Sequence, residues 1–154
     1  MITRLDARFW YEWRENAAAR TVVHSYVGRM PAYEQLDAFR VCHELALRVY
    51  RTAEQIDKRD PELAVQLWSA ALIASARIAR GVGFRNRRMF AMCLDRTLAA
   101  LAEVGYHLNV ARTLDLLTEG TQQDLESLRG RAVFYTTKLL TTLWDQTRED
   151  GPRS

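Results

Sequence analysis

Beyond Pro31, apolar residues recur at intervals of three and four, the period of helices that bury one face. The first such segment begins near residues 32–36 and runs to Ile56. Phe39, Cys42, Ala46, Val49 and Ala53 form its seam, and Leu36, His43, Leu47 and Tyr50 make a second stripe beside it. One neighbour needs one seam, so two stripes predict burial against more than one partner. Arg40, Glu44 and Arg48 follow at four-residue spacing on the outer face, the geometry of intrahelical ion pairs.

The next segment opens with Asp60-Pro61, an N-cap followed by proline at the first helical position. It runs to about Arg80. Leu67, Ala70, Ala74 and Ile78 form one seam, while Trp68, Leu72 and Ala79 cover another side. A helix that is apolar around most of its circumference is expected to be buried. In a chain of few helices that predicts subunit contacts, with Trp68 and Leu72 at the interface. Ser69, Ala70, Ala71, Ala74, Ser75 and Ala76 are small enough to let a partner helix approach closely. Gly81 and Gly83 then stop the pattern, with Gly81 expected as the left-handed C-terminal cap.

Phe90, Leu94, Thr97, Leu101, Val104, Leu108 and Ala111 predict a third helix from Asn86 towards Leu116. Thr118 caps a fourth, where Leu125, Leu128, Ala132, Tyr135, Leu139 and Leu143 repeat the rhythm. Gly130 inside it weakens the helix by ~1 kcal/mol relative to alanine unless a neighbour packs closely there. Four amphipathic helices with short links predict an all-α, up-down-up-down four-helix bundle over residues 33–147. Residues 1–32 read as an N-terminal extension, partly helical because Leu5, Phe9 and Trp13 recur every four residues. Phe9, Trp10, Tyr11 and Trp13 gather there into an aromatic group. Such a group either docks on the bundle or a neighbouring subunit, or captures another protein. Residues 148–154 are polar and expected to be disordered.

Composition adds little to this picture, but charge does. A chain of 154 residues, 48% hydrophobic and 27% charged, is that of one ordinary globular domain with a core. Its net charge is +3, yet residues 64–94 contain five arginines and no acid, which leaves the remainder at −2. The positive character is therefore local, as an anion-binding patch would be. Cys42 and Cys93 lie far apart within apolar periodic stretches and read as core residues of a reducing compartment. The start, MITRLDARFWYEW, carries charges inside its apolar run, unlike a signal peptide. The run Ala64–Ala76, broken by Gln66, Ser69 and Ser75, is too short to span a bilayer. A cytoplasmic location is expected by elimination.

No reaction is specified. His24, His43 and His107 are the three histidines, and no Glu-x-x-His pair supplies the spacing of a di-iron bundle site. Glu103 and His107 stand four apart, which a surface helix pair explains. Gly81-Val82-Gly83 lacks the lysine and preceding strand of a phosphate loop. No catalytic residue, metal or cofactor is expected.

The arginines are the stronger candidates, and they differ. Arg77 and Arg80 fall in the expected last turn of a helix, where cations complement the dipole. Arg85, Arg87 and Arg88 flank the start of the third helix, where the dipole is already positive and acids are preferred. Each charge there costs from a few tenths to about 1 kcal/mol unless an anion is near. Together with free backbone N–H groups, that end would suit a phosphate. The alternative is a solvated basic loop.

The linked residues from Leu36 through Trp144 resemble the 23S rRNA intervening-sequence proteins, a family of four-helix bundles, over about 110 of 154 residues. The family's aromatic, Glu-Leu and apolar-Tyr opening is matched by Phe39, Glu44-Leu45 and Val49-Tyr50. Its central Asn-Ile-Ala-Glu-Gly-x-Gly aligns with Arg77-Ile78-Ala79-Arg80-Gly81-Val82-Gly83, and Arg85, Arg87, Arg88 and Phe90 continue the match. Leu98, Leu101-Ala102-Glu103 and Ala111-Arg112 follow the third helix. The chain departs where Arg77 and Arg80 replace the family's asparagine and glutamate and Ser75 replaces its proline. The resemblance implies a ring-like homopentamer without known enzymatic activity. It also extends to the accessory variability determinants of diversity-generating retroelements, which implies binding to nucleic acid and to a reverse transcriptase. Two arginines in place of an amide and an acid tilt the charge towards that branch.

Two readings stand. In one, an oligomeric bundle binds RNA or DNA phosphates through Arg85, Arg87 and Arg88, assisted by Arg77 and Arg80. In the other, the chain is a pure protein-interaction scaffold that works through its aromatic N-terminal segment and its apolar second helix. A bundle enclosing a small ligand has less support, because no polar constellation points inward.

Overall fold

The computed structural model describes residues 32–84 and 86–149. The chain divides between Ala32 and Tyr33, and the helical bundle belongs to the unit that begins at Tyr33. A single 3-10 turn, Ala32–Gln35, leads into four helices: α1 (Asp37–Asp57), α2 (Pro61–Gly83), α3 (Arg87–Thr113) and α4 (Glu119–Glu149). Each helix packs on two others, α1 on α2 and α4, and α3 on α2 and α4. Consecutive helices are joined by short turns, so the bundle runs up, down, up and down.

The caps explain the boundaries. Asp60 Oδ1 accepts from the Leu63 amide at 3.0 Å, with Pro61 at the first helical position of α2. Thr118 Oγ1 accepts from the Thr121 amide at 3.3 Å and starts α4. Helix α3 ends at Thr113, short of Leu116. Asp115 takes the left-handed conformation at φ 51°. The Leu116 amide donates to the Ala111 carbonyl at 2.9 Å and the Asp115 amide to the Arg112 carbonyl at 3.1 Å. These two bonds define a Schellman ending. An aspartate tolerates the left-handed region, so no glycine marks this stop in the sequence. Arg59 then ties the other turn at this end to it, donating from Nη1 to the Asp115 carbonyl at 2.8 Å.

Helix α2 ends at Gly83 as expected, but Gly81 is not its left-handed cap. Gly81 is helical and buried, and α2 continues through it to Gly83. A Cβ at Gly81 would stand 2.5 Å from Phe90 Cδ2 and 2.9 Å from Cys93 Cβ. Its role is close approach of α2 to α3, not chain reversal. Gly130, by contrast, meets nothing within 4 Å, so its helical penalty stands without compensation. Helix α4 continues past Thr147 to Glu149, beyond the boundary that composition indicates.

The core is drawn from all four helices. Leu45, Ile56, Leu67, Ile78, Leu94, Leu101, Leu108 and Leu125 are fully buried. Burying one such side chain contributes roughly 1.5–3 kcal/mol. Thr97, also fully buried, places its Oγ1 3.3 Å from the Ala74 carbonyl and 3.0 Å from that of Cys93, joining α3 to α2. Of the second stripe, Leu36 packs against this core and His43, Leu47 and Tyr50 do not. Leu47 and Tyr50 are exposed, and so are Val65, Leu72 and Ile73 on α2. The tilted rings of Tyr50 and Trp68, 5.5 Å apart, line a groove between α1 and α2 together with Ala53, Ala64 and Val65, with Glu54 and Asp57 also on its wall. Within one chain, then, α2 is not buried on all sides.

Candidate functional site

At the end of the bundle where α2 finishes and α3 starts, arginines from both helices meet. Because α2 runs on to Gly83, only Arg80 occupies its last turn. Arg77 lies further in, where the dipole has faded, so the helix terminus does not account for its charge. Instead, Arg77 Nη1 donates to the Arg96 carbonyl on α3 at 2.8 Å. This bond fixes the guanidinium across the α2–α3 seam and leaves its other donors for something else. The Arg80 guanidinium sits 5.8 Å from the centroid of the Phe84 ring, a cation–π distance.

A cavity of about 140 Å³ opens between them, walled by Arg77, Arg80 and Arg96 and by Phe84, Met89 and Met92, with Cys93 at its side. Among the described residues it has no carboxylate wall, and none of the ion pairs found there involves these three arginines. Three like charges around one cavity repel one another, the more so where protein lowers the local dielectric. An anion in the cavity would reverse the sign of that interaction.

Arg87 and Arg88 occupy the first two helical positions of α3, and its first turn has no acid. Arg88 stands one turn before Met92, on the face that continues to the cavity. Arg85 lies outside the described residues. The expected free N–H groups are already engaged. Asn86 Oδ1 accepts from the Arg88 amide at 2.9 Å and the Met89 amide at 3.3 Å, and its carbonyl accepts from the Phe90 amide at 3.0 Å. The helix start therefore offers side-chain charge and little backbone. Arg96 was not legible as a site residue. It stands 19 positions after Arg77 and directly after Asp95, so along the sequence it reads as half of a neutral pair.

The interface candidates divide likewise. Trp68 is half-buried in the α1–α2 groove and Leu72, one turn further on, is 43% exposed. Phe9, Trp10 and Trp13 lie outside the described residues. At the opposite end of the bundle His107 is buried on α3, its Nε2 3.6 Å from Glu103 Oε1 and without a hydrogen-bond partner. It borders a cavity with Asp60, Glu62, Gln66 and Tyr106. Among the described residues no three His, Cys, Asp or Glu side chains are grouped to hold a metal ion, and no helix is long and apolar enough to cross a membrane. Cys42 is fully buried, and burial pushes its thiol up to about 11 against a weak opposing contact from Thr136.

Fold and site together define a four-helix bundle that gathers cations at one end and leaves a largely apolar groove, edged by Glu54 and Asp57, along one side. Residues 34–132 match the family model of the 23S rRNA-intervening sequence protein, and the chain belongs to that family. A comparison with the curated proteins finds no match.

Proposed function

We propose that this chain is a non-catalytic, oligomeric accessory protein that binds nucleic-acid phosphates. Arg77, Arg80 and Arg96 form the centre of the binding surface, and Arg85, Arg87 and Arg88 extend it. The observation that carries this reading is the cavity lined by three arginines and, among the described residues, by no carboxylate. Guanidinium forks match phosphate oxygens in geometry and keep their charge at any working pH. The absence of acids from residues 64–94 supports the same conclusion over a wider area.

The α1–α2 groove supports assembly. Leu47, Tyr50, Val65 and Leu72 are large apolar residues left in water by the single chain, and a second copy of this chain would cover them. A ring of such bundles, such as the pentamer expected from the family resemblance, would repeat the arginine cluster and raise avidity without any base readout. The test is a titration of the protein with a short RNA at several salt concentrations. Phosphate binding predicts that the logarithm of the affinity falls linearly with the logarithm of salt, with a slope of ~0.7 per phosphate contact on a single strand. An affinity independent of salt would contradict it.

The exposed groove also favours a second reading, a protein-interaction scaffold whose arginines only solubilise. The ultraviolet absorbance ratio of the freshly purified protein separates the two. Co-purifying nucleic acid supports binding, and a clean protein spectrum supports the scaffold.

A further inference from the structure

We infer that the α2–α3 cavity is a pocket for one unpaired nucleotide, its base against Phe84, Met89 and Met92 and its phosphate on Arg77, Arg80 and Arg96. The inference rests on the nucleic-acid reading above and specifies which form of nucleic acid the site takes. The walls are of two kinds. Three of the seven lining residues are arginines, and the other four are a phenylalanine, two methionines and a cysteine. Inorganic phosphate would use only the arginines. A duplex presents phosphates outward and keeps its base faces stacked inside, so it too leaves the apolar part unused. An unstacked nucleotide offers both parts at once, a planar π face and a charged backbone, and single strands are recognised by this combination.

The dimensions agree. About 140 Å³ accommodates one ring system with its substituents and excludes a base pair. Met89 and Met92 are 38% and 41% exposed on a helix whose other apolar residues are mainly buried, so packing within the chain does not explain them. Flexible thioethers adapt to flat ligands of varied outline. Arg80 over the Phe84 ring provides a second flat surface that is also cationic, and the Arg77–Arg96 bond holds the opposite wall in place. Gly81 lets Phe90 and Cys93 of α3 approach α2 closely beside the cavity.

The experiment measures the affinity of the full chain for single-stranded and duplex RNA of one length at fixed salt, by fluorescence anisotropy. The wild type is expected to prefer the single strand. Met92→Ala, on an exposed helical position that alanine suits, should lower the ratio of single-strand to duplex affinity about tenfold. Phe84→Ala should do the same, and Arg51→Gln on the far helix α1 should leave the ratio unchanged. Photocrosslinking of RNA carrying 4-thiouridine should map to residues 84–92. Equal binding of both forms by the wild type, or a ratio indifferent to Met92→Ala and Phe84→Ala with crosslinks elsewhere, would overturn the pocket while leaving the phosphate-binding reading intact. No binding of either form would overturn both.

Discussion

Helix α2 serves two surfaces that differ in almost every physical respect. Its Ala64–Trp68 part borders a groove in which apolar side chains stand in water beside Glu54 and Asp57, while its Arg77–Phe84 part borders a cavity in which cations stand together. The groove is costly through exposed hydrophobic area, which any matching apolar surface relieves. The cavity is costly through like-charge repulsion, which solvent and salt screen in part and a bound anion offsets. On the proposed function, one helix divides assembly from ligand binding along its length. Because the two costs have different cures, each surface can be broken without breaking the other.

The largest effect is expected in the groove. Replacing Val65 and Leu72 together with glutamate places two charges where an apolar partner is proposed. Light scattering should show the assembly reduced to a smaller species, with helix content by circular dichroism unchanged. An unchanged mass would remove the groove from the interface. Next comes Gly81→Ala, which forces Phe90 or Cys93 to move and should destabilise the fold by about 1–3 kcal/mol in a denaturant titration. It should loosen the cationic side first, so RNA affinity falls while oligomer mass holds at low denaturant.

The shared core sets the baseline against which both are read. Cys42 has a folded-state thiol raised to about 11 from an ordinary value of 9.0. Below pH 9 the thiol is protonated in both states and folding is not penalised. As pH rises from 9 to 11 the unfolded chain ionises first, and stability falls by up to about 2 kcal/mol. Cys42→Ala should remove that part of the alkaline decline, visible as a flatter stability curve between pH 9 and 11. The smallest effect belongs to Gly130→Ala, an exposed helical glycine with open space around it, which should stabilise the protein by about 0.5–1 kcal/mol. A destabilising result would mean that something covers α4 there.

Much of this molecule was legible along the chain. The seams of α2 and α3, the Asp60-Pro61 start and the Thr118 cap are local signals, and local physics decides them. The failures have a common cause, which is that they depend on neighbours in space. Gly81 reads as a cap because glycine usually ends helices, but here Phe90 packs against it and the helix continues. Asp115 ends α3 short of Leu116, with no glycine, because its turn is held by the Ala111 and Arg112 carbonyls. Arg77 and Arg80 look alike in sequence, and only the true helix end distinguishes them. Arg96 joins them solely because α3 packs against α2. The emphasis of the candidate site therefore moves from the three arginines at the start of α3 to three around the cavity, with Arg87 and Arg88 beside it.

The most direct test compares the salt dependence of RNA binding in two variants, Arg77→Gln/Arg80→Gln/Arg96→Gln and Arg87→Gln/Arg88→Gln. If the cavity is the centre of the phosphate surface, the first should flatten the log–log slope by about 2 units, at ~0.7 for each lost single-strand contact. The second should flatten it by less. A slope that does not change in the first variant would contradict the account.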